Sequence, residues 1–269
     1  MIIDKITSLD GTDIEYYKFG TGPSLIIIHG SFRAAENYTK LAECLAQKFT
    51  VYIINRRGRG KSGDQGINYS IQKEVADITT VLRKTESSFL FGHSFGGLVA
   101  LETAMVYQIK KLALYEPAIS VNKSLDIDWI PHFEEKLNQQ EFSEALIIFF
   151  KSMGVNIPDE QLKVYVQNLS ETPEWQETTR ILHTIVNEAK EAYRLDSTIK
   201  KYKSISGEIL FMKGTVGNEA DILFNEKSSQ ALKTVIENLK IKTFDGFDHN
   251  APDMTAPDEV ASALFDFFL

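Results

Sequence analysis

The 269-residue sequence contains one cysteine, Cys44, so no disulfide can form within the chain and a cross-linked small-domain scaffold is excluded. A lone thiol suits a reducing compartment, and a cytoplasmic location is the expectation. Long apolar runs are missing too: Leu25–Ile28 and Ala145–Phe150 fall far short of the roughly 20 residues a bilayer span needs. The opening Met1-Ile-Ile-Asp-Lys lacks a basic then apolar leader, so neither a signal peptide nor a membrane is expected. Positive charge is scarce, with 29 Lys and Arg against 37 Asp and Glu and a formal net charge of −8. That balance argues against nucleic acid or anionic lipid as partner, because affinity for either comes from cations. The five histidines (His29, His93, His132, His183 and His249) share no metal-ligand spacing, so neither a metal nor another cofactor is expected. Repeats and low-complexity segments are absent.

What remains is an ordinary globular composition, 43% hydrophobic and 25% charged, at a length near the ceiling for one core, so an insertion is to be sought. Residues 2–8 and 12–19 flank Asp10-Gly11, a tight-turn dipeptide, and read as an antiparallel pair. Leu25-Ile-Ile-Ile28 is the continuous apolar run of a strand buried on both faces. Strands at 50–54, 88–92 and 111–115 then alternate with helical patterns at about 35–48, 70–85 and from 95. This alternation implies βαβ units and a mostly parallel sheet. It stops at about 120. Up to 203 only helical patterns occur: 129–138, 141–153, 159–169, 173–187 and 188–199. It resumes with strands at 208–212 and 239–244, a helix near 221–234 and a final helix that opens around Pro257. The expected architecture is α/β: an eight-stranded, mostly parallel sheet flanked by helices, built from residues 1–119 and 204–269. An all-helical insertion, residues 120–203, interrupts it.

The sharpest chemical signal is Gly92-His93-Ser94-Phe95-Gly96, a G-x-S-x-G between a strand and a helix. A nucleophile elbow requires that context. Gly92 and Gly96 leave room for the sharp turn, the serine hydroxyl rises clear of the sheet, and the following helix directs backbone N–H groups at the reaction centre.

With this elbow, His29-Gly30-Ser31 after the third strand, Asn55-Arg-Arg57-Gly58-Arg-Gly60-Lys-Ser62 after the fourth and Asp248-His249 after the last, the sequence resembles the α/β-hydrolase superfamily over nearly all of the chain outside the insertion. The resemblance implies an oxyanion hole formed by the N–H groups of Ser31 and Phe95, with His249 as the base that activates Ser94. It also implies that the insertion is a cap over the active site. The family most often places Asp at the position occupied here by Gly217. A second known placement, directly before the insertion, holds Glu116, followed by Pro117. Glu116 is therefore the favoured acid, with Asp221 and Glu219 as alternatives. Asn55 stands where the family usually has Asp, a departure expected to touch local structure only.

Gly58-Arg-Gly60-Lys-Ser-Gly63 matches the dinucleotide fingerprint G-x-G-x-x-G, and Gly60-Lys-Ser62 imitates the end of a P-loop. The P-loop glycine is missing at Asn55, Asp64-Gln-Gly66 delays the helix, and Arg83 stands where an acid is needed, so nucleotide binding is not expected. The expected partner is a small-molecule substrate. Apolar insertion residues (Trp129, Phe133, Phe142, Ile147, Ile148, Phe149, Phe150 and Trp175) favour a small, largely apolar ester, thioester or lactone. C–C bond hydrolysis, cofactor-free perhydrolysis and non-catalytic small-molecule binding stay open as alternatives. An elbow Ser in place of Asp argues against epoxide and haloalkane hydrolysis.

Overall fold

The computed structural model describes residues 1–269. Eight strands form one sheet: β1 (Ile2–Thr7), β2 (Asp13–Phe19), β3 (Ser24–Ile28), β4 (Thr50–Ile54), β5 (Phe89–His93), β6 (Lys111–Tyr115), β7 (Glu208–Gly214) and β8 (Leu239–Phe244). Their order across the sheet is β1-β2-β4-β3-β5-β6-β7-β8. The hairpin β1–β2 and the pair β2–β4 are antiparallel, and all other pairs are parallel. The central strands are buried on both faces, which is why they read as unbroken apolar runs. Their side chains alternate between two cores: Ile26, Ile28, Leu90 and Leu114 face one, while Leu25, Ile27, Phe91 and Tyr115 face the other.

Helices α1 (Thr39–Leu45), α2 (Ile71–Thr85), α3 (Phe95–Ala104), α8 (Glu219–Lys233) and α9 (Pro257–Phe268) cover the sheet. Between β6 and β7 stand α4 (Ile130–Asn138), α5 (Phe142–Ser152), α6 (Asp159–Ser170) and α7 (Trp175–Arg194), with a core of their own around Phe133, Leu146, Phe149 and Leu182, followed by a 3-10 turn at Ile199–Ser204. Two expectations need correction. Residues 35–48 hold a short 3-10 turn at Ala35–Tyr38 and a helix of seven residues, not one long helix. The helices expected at 173–187 and 188–199 are one continuous element, α7. The buried polar Glu188 interrupts its apolar stripe and imitates a boundary.

The parallel register aligns the strand ends that matter. His93, the last residue of β5, pairs with Tyr115, the last of β6, and Tyr115 pairs with Met212 of β7. Ser94 and Glu116 therefore leave the sheet side by side at its carboxyl edge, where open α/β sheets place their ligand sites.

Candidate active site

Ser94 sits at φ 54°, ψ −124°, outside the regions a side-chain-bearing residue normally occupies. Its neighbours explain how the strain is held. A Cβ on Gly92 would come within 2.6 Å of the Gly96 carbonyl oxygen, and one on Gly96 within 2.3 Å of the Ile28 and His29 carbonyls. Only glycine permits that closeness, so β5, α3 and the end of β3 lock the turn. The Ser94 N–H donates to the Tyr115 carbonyl (3.0 Å), while the Ser94 carbonyl accepts from Ala118 (3.0 Å).

Gly30 brings the turn after β3 against the serine: a Cβ there would lie 3.0 Å from Ser94 Cβ and 3.6 Å from its Oγ. The N–H groups of Ser31, next in that turn, and of Phe95, at the start of α3, find no acceptor within the chain. Unspent backbone donors beside a serine can bind a developing oxyanion.

Glu116 is 6% exposed and adopts φ 41°, directly before a proline, a second strained backbone at the same sheet edge. Its own N–H donates to the Met212 carbonyl (2.9 Å), and its Oε1 accepts the Gly214 N–H (2.9 Å). The other oxygen, Oε2, accepts from His249 Nδ1 at 2.8 Å. The loop carrying His249 is held from several sides. A Cβ on Gly214 would fall 2.0 Å from the Phe247 carbonyl, that carbonyl accepts the Thr215 and Val216 N–H groups, and Tyr115 Oη donates to the Asp248 carbonyl (2.8 Å).

Among the alternative acids, Glu219 and Asp221 are exposed at the start of α8. Partial burial, offset by His249, and the charge of Glu116 leave the Asp221 carboxyl above its ordinary range. Its oxygen accepts from Asn218 Nδ2 (2.6 Å), and no hydrogen bond joins it to His249. His132 and His183 are exposed on insertion helices. His29 is structural: its Nε2 accepts the Arg56 N–H at 3.1 Å. Asn55 is structural too, bonded to the Ala35 N–H (2.7 Å) and to Glu15 (2.6 Å). No three His, Cys, Asp or Glu side chains converge in a way that could hold a metal ion.

Several residues of the site carry no signal in the sequence. His93 is buried with its ring centroid 4.7 Å from that of His249. Tyr38 Oη accepts the Gly30 N–H (3.3 Å) and lies within hydrogen-bond distance, 2.5 Å, of His93 Nδ1. Burial, helped by the proximity of His249 and Arg33, pushes His93 well below the ordinary imidazole value of 6.5 and keeps it neutral. Arg33 joins the two loops: its guanidinium donates to the Phe32 carbonyl (3.2 Å) and Asn250 Oδ1 (2.9 Å), and pairs with Asp253.

The segment that imitates a phosphate loop serves instead to dock α7. A Cβ on Gly58, which adopts φ 78°, would lie 2.6 Å from Thr184 Cγ2, so the helix packs directly on the glycine backbone. The Gly60 N–H donates to Glu177 (3.1 Å) and its carbonyl accepts from Arg180 (2.6 Å). Arg56, Arg57 and Arg59, which look like a surface cluster in the sequence, are each 2% exposed or less. Arg57 makes a two-point bond to Asp77 of α2 (2.6 and 2.7 Å). Arg56 reaches Glu74 of α2 (3.1 Å) and Glu188 of α7 (2.5 Å), and Arg59 lies 2.7 Å from Glu188. Above the serine turn, Phe32 packs on the insertion, with ring centroids 5.3 Å from Phe149 and 5.7 Å from Phe150.

A family model described as serine aminopeptidase S33, an α/β-hydrolase family, matches residues 22–251, most of the chain. The chain belongs to this family. The chain is 26% identical over 160 residues to the uncharacterized hydrolase YraK of Bacillus subtilis, covering 57% of this chain and 58% of that protein. It is 28% identical over 157 residues to the sn-1-specific diacylglycerol lipase ABHD11 of Xenopus laevis, covering 55% of this chain and 48% of that one. The matches thus span about half the length of these relatives. An α/β hydrolase from Sphaerobacter thermophilus superposes over 99% of this chain and 100% of its own, at TM-score 0.81 and 27% identity.

Proposed function

We propose that this α/β hydrolase cleaves a small, largely apolar carboxylic ester, thioester or lactone through Ser94, His249 and Glu116. The observation that carries the reading is the Glu116–His249 hydrogen bond at the sheet edge that also carries a strained serine, with two backbone N–H groups left without acceptors in the adjoining turns. Glu116 holds the Nδ1–H tautomer, which leaves Nε2 free to take the Ser94 proton as Oγ attacks the carbonyl. The Ser31 and Phe95 N–H groups receive the charge on the tetrahedral oxygen, and Glu116 balances the imidazolium. The leaving group departs with the histidine proton, and a water activated by the same imidazole releases the acyl group.

The insertion, residues 120–203, acts as a cap. The aromatic wall of Phe32, Phe149, Phe150 and Trp129 favours an apolar acyl or alkoxy group. Similarity to a diacylglycerol lipase supports an ester as substrate. The single free cysteine fits a cytoplasmic setting.

A fluorophosphonate probe tests the reading, together with turnover of p-nitrophenyl esters of increasing acyl length. The folded chain should label and turn over, and Ser94→Ala should abolish both. Absence of labelling in the folded chain would remove the catalytic reading and favour a binding protein.

A further inference from the structure

The reaction assigned above needs the Ser31 N–H held in place, yet Ser31 belongs to a turn rather than to a helix or strand. Its side chain shows what holds it. Ser31 Oγ donates to Glu188 Oε2 at 2.5 Å, the short distance of a charge-assisted O–H···O⁻ bond. The hydroxyl proton is thereby committed, and only the backbone N–H of Ser31 is left to serve a reacting oxygen.

Glu188 is itself fully enclosed, 1% exposed, on the inserted helix α7. Oε1 of the same carboxylate faces Arg56 (2.5 Å) and Arg59 (2.7 Å), with Gln65 Nε2 at 3.4 Å. A buried carboxylate alone would be costly, and burial by itself would raise its pKa. The two guanidinium groups outweigh that and hold Glu188 below the ordinary carboxylate range, so it is ionised. Arg56 pairs with Glu74 as well, so two carboxylates meet the two arginines. The contact to Ser31 is an additional use of the carboxylate, and it points at the reaction centre.

We propose that Glu188 is a positioning residue for the hydrolytic reaction: reaching in from the inserted helix, it fixes the Ser31 turn so that its N–H meets the oxyanion. This inference rests on the serine-hydrolase reading. It makes the insertion part of the catalytic apparatus in addition to its place above the site.

The test is a double-mutant cycle on p-nitrophenyl ester turnover and on the rate of fluorophosphonate labelling. Ser31→Ala removes one oxygen and keeps the backbone N–H. It should lower kcat and the labelling rate about tenfold or more with KM nearly unchanged, a fraction of the roughly 10²- to 10³-fold cost of losing an oxyanion donor outright. Glu188→Gln should lower kcat by at least as much, and Ser31→Ala/Glu188→Gln should fall no further than Glu188→Gln alone, since both variants disturb one element. If Glu188→Gln does not fold, the Ser31→Ala result decides by itself. A wild-type chain that labels and turns over, with Ser31→Ala within twofold of it, overturns this inference and leaves the function standing. Multiplicative losses in the double variant also overturn it, for Glu188 would then act by another route. A wild-type chain that neither labels nor turns over removes both readings.

Discussion

Replacing Glu116 with glutamine should leave the fold intact and nearly abolish the proposed ester turnover. Glu116 uses both oxygens as acceptors, Oε1 from the Gly214 N–H and Oε2 from His249 Nδ1, at 2.9 and 2.8 Å. A carboxamide has one oxygen and one NH₂ at those two positions. If its oxygen keeps Gly214, the NH₂ faces Nδ1, and the imidazole must shift its proton to Nε2, where it can no longer accept from Ser94. If the oxygen keeps His249, the NH₂ opposes the Gly214 N–H in a site that is 6% exposed, leaving a buried donor unpaired at about 1–3 kcal/mol. The tautomer penalty is the one that reaches the chemistry. In the Ser-His-Asp template the equivalent carboxylate-to-amide change lowers kcat by about 10⁴. Partial retention of the correct arrangement sets the expectation here at about 10³ to 10⁴, or roughly 4 to 5.5 kcal/mol at about 1.36 kcal/mol per decade. The assay is p-nitrophenyl ester turnover, with thermal unfolding as control, set beside Asp221→Asn. Asp221 bonds Asn218 and not the histidine, so its variant should stay within about threefold of the parent. Glu116→Gln activity above a tenth of wild type, or a larger loss from Asp221→Asn, would refute the assignment.

Two further outcomes follow from the packing. Gly58→Ala forces a side chain into φ 78° and onto Thr184 Cγ2, and should cost about 1–3 kcal/mol in urea unfolding. Adding Thr184→Ser deletes the clashing methyl and should recover part of that loss; no recovery would mean that α7 does not pack on this glycine. The second concerns pH: burial holds His29 and His93 far below the ordinary imidazole value of 6.5, so unfolding gives each a proton that the folded state refuses. Their contribution is complete above pH 6.5 and is lost as pH falls below it, at up to about 1.4 kcal/mol per pH unit for each. Glu74 and Asp253, raised by burial, contribute with the opposite sign, so the readout is the difference between the parent and His93→Gln in urea unfolding at pH 7 and pH 5.5. The variant should lose distinctly less stability on acidification, and equal losses would show that His93 is not buried in its neutral form.

The strands and the elbow are legible in the sequence because their causes are local. Apolar runs of four or five residues mark doubly buried strands, and Gly92 and Gly96 flank the serine at fixed offsets. Glu116 can be favoured only through the resemblance, which places an acid directly before the insertion, while Gly217 leaves the commoner position without one. Its partner lies 133 positions away, so contact with His249 can be inferred only through the resemblance. Arg56 and Arg59 are not legible at all. Outside a fold they resemble a solvated basic tract, and the carboxylate that neutralises them comes from a helix more than 120 residues downstream.

Glu188 accounts both for the apparent break in α7 and for the disguise of the arginines. Along α7 the apolar positions Ile181, Leu182, Ile185, Val186 and Ala192 form one buried stripe, and Glu188 sits within it. Periodicity treats a charge there as a break, so it divides the helix where the helix is most firmly held. Burying that charge is tolerable only because Arg56 and Arg59 meet it, and they can meet it only because Gly58 lets the helix approach. The same contacts constrain how the insertion can move. Opening it along α7 would expose apolar surface and break the Glu188 pairs with Arg56 and Arg59. Along α4 to α6 the tie to the sheet domain includes the aromatic packing of Phe32 on Phe149 and Phe150. Parting those rings from Phe32 while α7 stays fixed would leave the Glu188–Ser31 contact in place.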